Sequence, residues 1–261
     1  MRKFWRRAAV KTCALLAVGA IYEQLGQRRD QARLPRIGRA VDIGGRTMNI
    51  SCSGTGPPTV ILDTGGSAPG YSNSHLQKLI AAETQTCWFD RAGLGWSDPS
   101  PVLQTSGAVS SDLRNLLQAA RIEPPYILVG QSFSGFNVRM FAARYRHDVL
   151  GVVLMDSVQE DQQQYEPRST LAPVNRLPNS VRSVLCTAIP WAAKIGVLRL
   201  LLSTSGGRRE IPGFTASEVA TLNALQSQPK ASSQPGVAML GRRAPTKLGP
   251  PGLLVAFLYS C

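Results

Sequence analysis

The sequence predicts an α/β protein: a mostly parallel sheet with helices on both faces and a helical insertion late in the chain. Three observations predict it. Strand-like and helix-like segments alternate between Thr59 and Met155, the rhythm that crossovers between parallel strands produce. Tyr126-Ile-Leu-Val runs into Gly130-Gln-Ser132-Phe-Ser134-Gly135 and then into helix-compatible Phe136–Tyr145, so a strand, a sharp turn and a helix present a hydroxyl at the apex. Thr59–Asp63 is a second apolar strand, opening into the glycine turn Gly65-Gly66.

A chain of 261 residues with 43% hydrophobic content is large enough for one sizeable core. Its net charge of +13 is unevenly spread: residues 1–39 hold ten Lys/Arg against Glu23 and Asp30, a net +8, and the remainder contributes +5. The basicity therefore belongs to the N-terminus, where it suits membrane topology, and no nucleic-acid partner is expected. Met1–Arg7 is a positive leader, and Thr12–Tyr22 is an apolar stretch of eleven residues. That length fits the core of a signal peptide and falls short of the ~20 residues that span a bilayer. Val18 and Ala20 are small enough for cleavage after Ala20; if Lys11 snorkels, Ala8–Val10 extend the stretch into an anchor. Cleaved and anchored forms both stay open, and both put the protein outside the cytoplasm. Gln27–Arg39 reads as a polar, basic linker, which divides the chain into 1–39 and a domain at 40–261.

In that domain, Ala40–Arg46 and Thr47–Cys52 read as a hairpin turning at Gly44-Gly45. After strand Thr59–Asp63 comes a helix over His75–Ala82, with Leu76, Leu79 and Ile80 at helical spacing, and then strand Thr84–Asp90. Ser110 and Ser111 are candidate caps for the next helix, whose apolar face is Leu113, Leu116, Leu117 and Ala120. Strand Tyr126–Val129, the helix after Ser132 and strand Gly151–Met155 complete the alternation. From Ser157 to about Lys247 the rhythm breaks: Val181–Leu202 looks helical with an interruption at Pro190, and Ser217–Gln226 is a short helix. The pairs Arg208-Arg209 and Arg242-Arg243 suit solvated loops. Leu253–Tyr259 is a last strand.

Gly130-Gln-Ser132-Phe-Ser134 follows the nucleophile-elbow pattern G-x-S-x-G, with small Ser134 in place of the second glycine. Asp90-Arg-Ala-Gly93-Leu-Gly95-Trp-Ser97 gives D-x-x-G-x-G-x-S, with Asp90 42 residues ahead of Ser132. With Thr59–Gly66, these pieces resemble the α/β-hydrolase-fold serine hydrolases from Val41 to Asp161. The resemblance implies that Ser132 is a nucleophile for ester-type acyl transfer on a small-molecule substrate, since fold relatives acting on haloalkanes and epoxides use an aspartate there. It implies backbone N–H groups of Gly66 and Phe133 as oxyanion donors, and a helical lid within 157–247. It also makes the second and fourth strands neighbours, so Cys52 and Cys87 either form a cross-strand bridge or remain two buried thiols. Cys13 falls in the leader, and Cys186 and Cys261 have no evident partner. No cofactor is implied, and with no CxxC pair or His/Cys cluster no metal site is expected.

The family's order is Ser, acid, His, with the base after the last strand. This chain has only His75, ahead of the elbow, and His147, in the turn after the elbow helix. Asp156, after the sixth strand, is the fallback acid, and the general base is unassigned. Leu253–Tyr259 matches the seventh strand, so the last strand and helix are expected to be missing. Two readings follow: a truncated form of an active hydrolase, or a non-catalytic relative that binds a ligand or partner.

Overall fold

The computed structural model describes residues 2–158, 179–203, 211–233 and 254–258. The chain divides into two compact units, one of Met1–Pro35 with Leu177–Ser233 and one of Arg36–Arg176 with Gln234–Cys261.

The first unit opens with one long helix, α1 (Arg2–Arg33). Gln27–Arg33, expected as linker, continues it, because glutamine and arginine are good helix formers. The helix ends just before Leu34-Pro35, where the proline disfavours helical geometry in the residue ahead of it. By length and composition α1 can cross a membrane.

The second unit is built on a seven-stranded sheet of order β1-β2-β4-β3-β5-β6-β7 among the described residues. β1 (Arg39–Asp42) and β2 (Thr47–Ser53) form the expected hairpin. Gly44 and Gly45 turn it at φ 105° and 84°, and both donate to Asp42 Oδ1 at 2.9 Å. β2 pairs antiparallel with β4 (Thr86–Phe89). β3 (Thr59–Asp63), β5 (Tyr126–Gln131), β6 (Val149–Met155) and β7 (Leu254–Leu258) continue in parallel. In the β2–β4 register Cys52 faces Cys87, with Cα atoms 4.1 Å apart, and a disulfide joins them.

Alternation along β4 separates the two faces of the sheet. Trp88 points to one, where it meets Tyr71 of a short turn ahead of α2 (Ser74–Ile80), ring centroids 6.1 Å apart. Cys87 and Phe89 point to the other, into a core shared with α3 (Ser106–Ala119) and α4 (Ser134–Arg144). Leu113, Leu116 and Leu117 of α3 are buried there with Val138 and Phe141 of α4 and Leu128 and Val152 of the sheet. Burying each such leucine stabilises the fold by about 1.5–3 kcal/mol.

The start of α3 corrects the sequence reading. Thr105, not Ser110 or Ser111, is the cap, accepting from the Ala108 N–H at 3.1 Å. Ser111 lies inside the helix, where its hydroxyl bonds back to the Gly107 carbonyl at 3.1 Å.

The first unit continues with α5 (Asn179–Lys194), α6 (Val197–Leu201), α7 (Ala216–Gln226) and α8 (Pro229–Ser233). Pro190 sits inside α5 and does not end it; the break comes at Gly196, whose φ of 75° a glycine adopts without steric cost. Thr215 and Glu218 close a capping box at the start of α7. Of the expected lid, residues 159–178, 204–210 and 234–247 lie outside the described residues, as do residues 248–253, both arginine pairs and Cys261.

Candidate active site

Ser132 occupies the turn between β5 and α4, at the C-terminal edge of the parallel sheet. It is half-buried, and its φ of 51° is left-handed, a conformation that non-glycine residues adopt rarely and mostly where the surroundings enforce it. The enforcement comes from the neighbouring strand. The Ser132 N–H donates to the Met155 carbonyl at 3.1 Å, and its carbonyl accepts from Gly135 and Val158 at 3.1 Å each.

Small residues around the turn are fixed by contact. A Cβ on Gly130 would lie 2.6 Å from Val138 Cγ2, and one on Gly135 would lie 2.7 Å from Ser157 Cβ. Ser134 does more than keep a small volume. Wholly buried, its hydroxyl reaches the carbonyls of Asp63 and Gln131, both at 2.8 Å, and so links the turn to β3.

The glycine loop after β3 passes directly over Ser132. A Cβ on Gly65 would lie 2.7 Å from Ser132 Cβ and 3.4 Å from its Oγ, so Gly65 is the residue in contact. Gly66 follows at φ 53°, with nothing within 4 Å of the Cβ direction and its carbonyl held by Arg91 Nη2. Phe133, the expected second donor, caps α4 and packs edge-on against Phe136 at 5.4 Å.

Beneath this loop lies a buried polar cluster that the sequence reading missed. Asp63, at the end of β3, accepts from Asn137 Nδ2 at 2.9 Å and faces Arg91 Nε at 3.5 Å. All three side chains are almost wholly buried. Desolvation raises the Asp63 carboxyl above its ordinary pKa, with Arg91 and then Asn137 opposing. Only a partial signal existed in the sequence: opposite charges closing adjacent apolar strands, at Asp63 and Arg91.

The D-x-x-G-x-G-x-S segment is architectural. Wholly buried Asp90 accepts from the N–H of Gly70 at 2.6 Å, from the N–H of Trp96 at 3.0 Å and from Asn49 Nδ2 at 3.0 Å. Gly95 is needed because a Cβ there would lie 2.3 Å from that carboxylate. Ser97 donates to the Asp90 carbonyl at 2.6 Å and accepts from the Asn49 N–H at 2.8 Å, tying the loop to β2.

Asp156 follows β6 one residue after the carbonyl that receives the Ser132 N–H, and it is exposed at φ 44°. His147 is also exposed, but it precedes β6. Since β5 and β6 are parallel, with Gln131 opposite Met155, that strand separates His147 from Ser132 by about 20 Å. His75 lies in the first turn of α2. Among the described residues no three His, Cys, Asp or Glu side chains gather as metal ligands.

Residues 58–180 match the family described as the alpha/beta hydrolase fold. The chain has the α/β hydrolase fold. The uncharacterized protein YbdG of Bacillus subtilis (strain 168) is 30% identical over 138 residues, 52% of this chain and 42% of YbdG. The chain thus spans less than half the length of that relative. Among solved structures, a thermophilic esterase from Thermogutta terrifontis superposes with a TM-score of 0.58 at 18% identity, covering 84% of this chain and 79% of the esterase. The epoxide hydrolase CorEH gives a TM-score of 0.55 at 17% identity, covering 77% of this chain and 73% of CorEH. Two reaction classes on one fold mean that the chemistry of this α/β hydrolase fold must be argued from its own site.

Proposed function

We propose that this chain is a serine hydrolase acting on ester-type acyl bonds, with Ser132 as nucleophile. The observation that carries the reading is the forced left-handed turn at Ser132, half-buried at the sheet's C-terminal edge directly under Gly65. In this mechanism Ser132 Oγ adds to the substrate carbonyl and passes its proton to a general base. The resulting oxyanion is held by the backbone N–H groups of Gly66 and Phe133. Collapse expels the alcohol with that proton and leaves an acyl-serine, which water hydrolyses. Asp156, exposed beside the turn, is the candidate acid that orients the base; no residue is assigned as the base itself.

A second reading is a relative that binds its ligand without turnover. The place of His147 at the opposite edge of the sheet favours it. The membrane-directed helix α1 and the Cys52–Cys87 bridge support an extracytoplasmic location for either.

A fluorophosphonate probe tests the first reading. It is expected to label the full chain slowly, and Ser132→Ala is expected to abolish the label. Unchanged labelling in Ser132→Ala removes the nucleophile assignment. Labelling of Ser132 without hydrolysis of a small activated ester favours the ligand-binding reading.

A further inference from the structure

In the first unit, α1 carries a stripe cut to fit another segment. Gly19, Glu23, Gly26 and Asp30 are spaced by four, three and four residues, which puts them on one face of the helix. A Cβ on Gly19 would lie 2.6 Å from the Ile195 carbonyl oxygen, and one on Gly26 would lie 2.4 Å from Arg199 Nε. Across from them, a Cβ on Gly196 would lie 2.6 Å from Tyr22 Cδ1. Arg199 of α6 is seated in this stripe. Its Nε and Nη2 donate to the two oxygens of Glu23 at 2.9 and 3.0 Å, and its Nη1 donates to Asp30 at 2.6 Å. Glu23 is 1% exposed, and Gln27 adds a bond to it at 3.1 Å.

Glu23 stands in a helix that by length and composition can cross a membrane, and in lipid an uncompensated carboxylate is strongly disfavoured. The fork from Arg199 supplies the compensation, with the paired hydrogen bonds that arginine geometry favours. A signal sequence that is cut away has no use for such a seat. Cleavage after Ala20 would remove Gly19 and divide the face that holds α6. On another face of α1, Val18, Ile21 and Leu25 are exposed. Trp191 of α5 and Leu200 and Leu201 of α6 are exposed as well, and Lys194 lies over the Trp191 ring at 4.8 Å. An exposed aromatic ring with a lysine beside it suits the boundary between acyl chains and headgroups.

We propose that α1 is a retained membrane anchor, and that its Gly19–Asp30 stripe holds α5 and α6 against the lipid surface through Arg199. The partner is the bilayer itself. The proposal rests on the membrane-directed reading of α1 and is independent of Ser132, since its test reads no turnover.

The test uses the full chain expressed with its own N-terminus. Mass spectrometry of the membrane-extracted protein is expected to find residues 1–20 still attached; a mature chain beginning at Ile21 overturns the proposal. In vesicles of phosphatidylcholine carrying brominated acyl chains, Trp emission is expected to be quenched, and part of that quenching is expected to vanish in Trp191→Phe. Quenching that is the same in wild type and Trp191→Phe overturns the lipid contact of α5. Arg199→Ala and Gly26→Leu are each expected to lose the Trp191 component while still sedimenting with vesicles through α1. Persistence of that component in both variants overturns the role of the seat. The first two measurements need no change at the seat, so the proposal stays exposed to failure even if a seat variant folds poorly. A chain absent from the membrane fraction would refute the targeting reading itself, and leave the Ser132 experiment untouched.

Discussion

Ser132 keeps a side chain at φ 51°, where a non-glycine residue costs roughly 1–3 kcal/mol. Ser132→Gly relieves that cost and Ser132→Ala does not. The glycine variant is therefore expected to be more stable than the alanine variant by about 1 kcal/mol, read as a higher urea midpoint, while neither takes up the probe. Equal midpoints would mean that the turn stores no strain. Asp63 makes a second prediction. Unfolded, its carboxyl titrates near its ordinary 3.8; folded, desolvation lifts it, against the pull of Arg91 and Asn137. Between those two values the folded state holds a proton that the unfolded state has lost, so stability falls as pH rises through the window. Asp63→Asn is expected to remove that slope. Above the window, where Asp63 is ionised, the same variant also leaves Arg91 buried without its carboxylate, which lowers stability there. Urea midpoints for both proteins across the acidic range check this, and an unchanged slope would mean that Asp63 is not the group responsible.

At the scale of elements, the edge hairpin depends on one covalent link. The Cys52–Cys87 bridge joins β2 to β4 across a sequence separation of 35 and is expected to contribute about 2–4 kcal/mol. The two ends are unequal, because Cys87 is wholly buried and Cys52 is exposed. Cys87→Ser is therefore expected to destabilise the protein more than Cys52→Ser. Both variants lose the bridge, but only the first puts a hydroxyl into the core. Equal urea midpoints for the two would refute this packing account. Periodicity made most elements readable. Leu113, Leu116 and Leu117 fixed the face of α3, whereas its start was misplaced because Ser110, Ser111 and Thr105 are all competent caps. Only the chain direction entering the helix selects Thr105.

For the whole molecule, the parallel run from β3 to β6 was legible because each strand is short, apolar and bounded by a turn, whereas the place of β4 beside β2 came only from the family resemblance. The seat of Ser132 was legible for the same local reason: Gly130, Ser134 and Gly135 stand next to it in sequence. The cluster of Asp63, Arg91 and Asn137 was not, since its members come from three elements and no local period connects them. The helix α1 shows both cases. Its apolar run marked it as membrane-directed, but the partner of Glu23 lies at Arg199, a separation that no window spans. His147, expected as an exposed turn residue, is one: it precedes β6 at the edge of the sheet opposite Ser132, and the base stays unassigned.

The crowding around the elbow bears on how such sites age. Gly130 and Gly135 are hemmed in by Val138 of α4 and by Ser157, and Gly65 by the Gln131 carbonyl as well as by Ser132. A lineage that stopped turning over substrate would lose nothing by keeping these glycines and would strain its packing by discarding them. They would outlast the reaction, like the frame of a lock after its bolt is gone. The hydroxyl of Ser132 has no comparable packing duty that glycine could not take over. Drift at that one position, more than survival of the surrounding pattern, is what would tell a working descendant of this chain from a silent one.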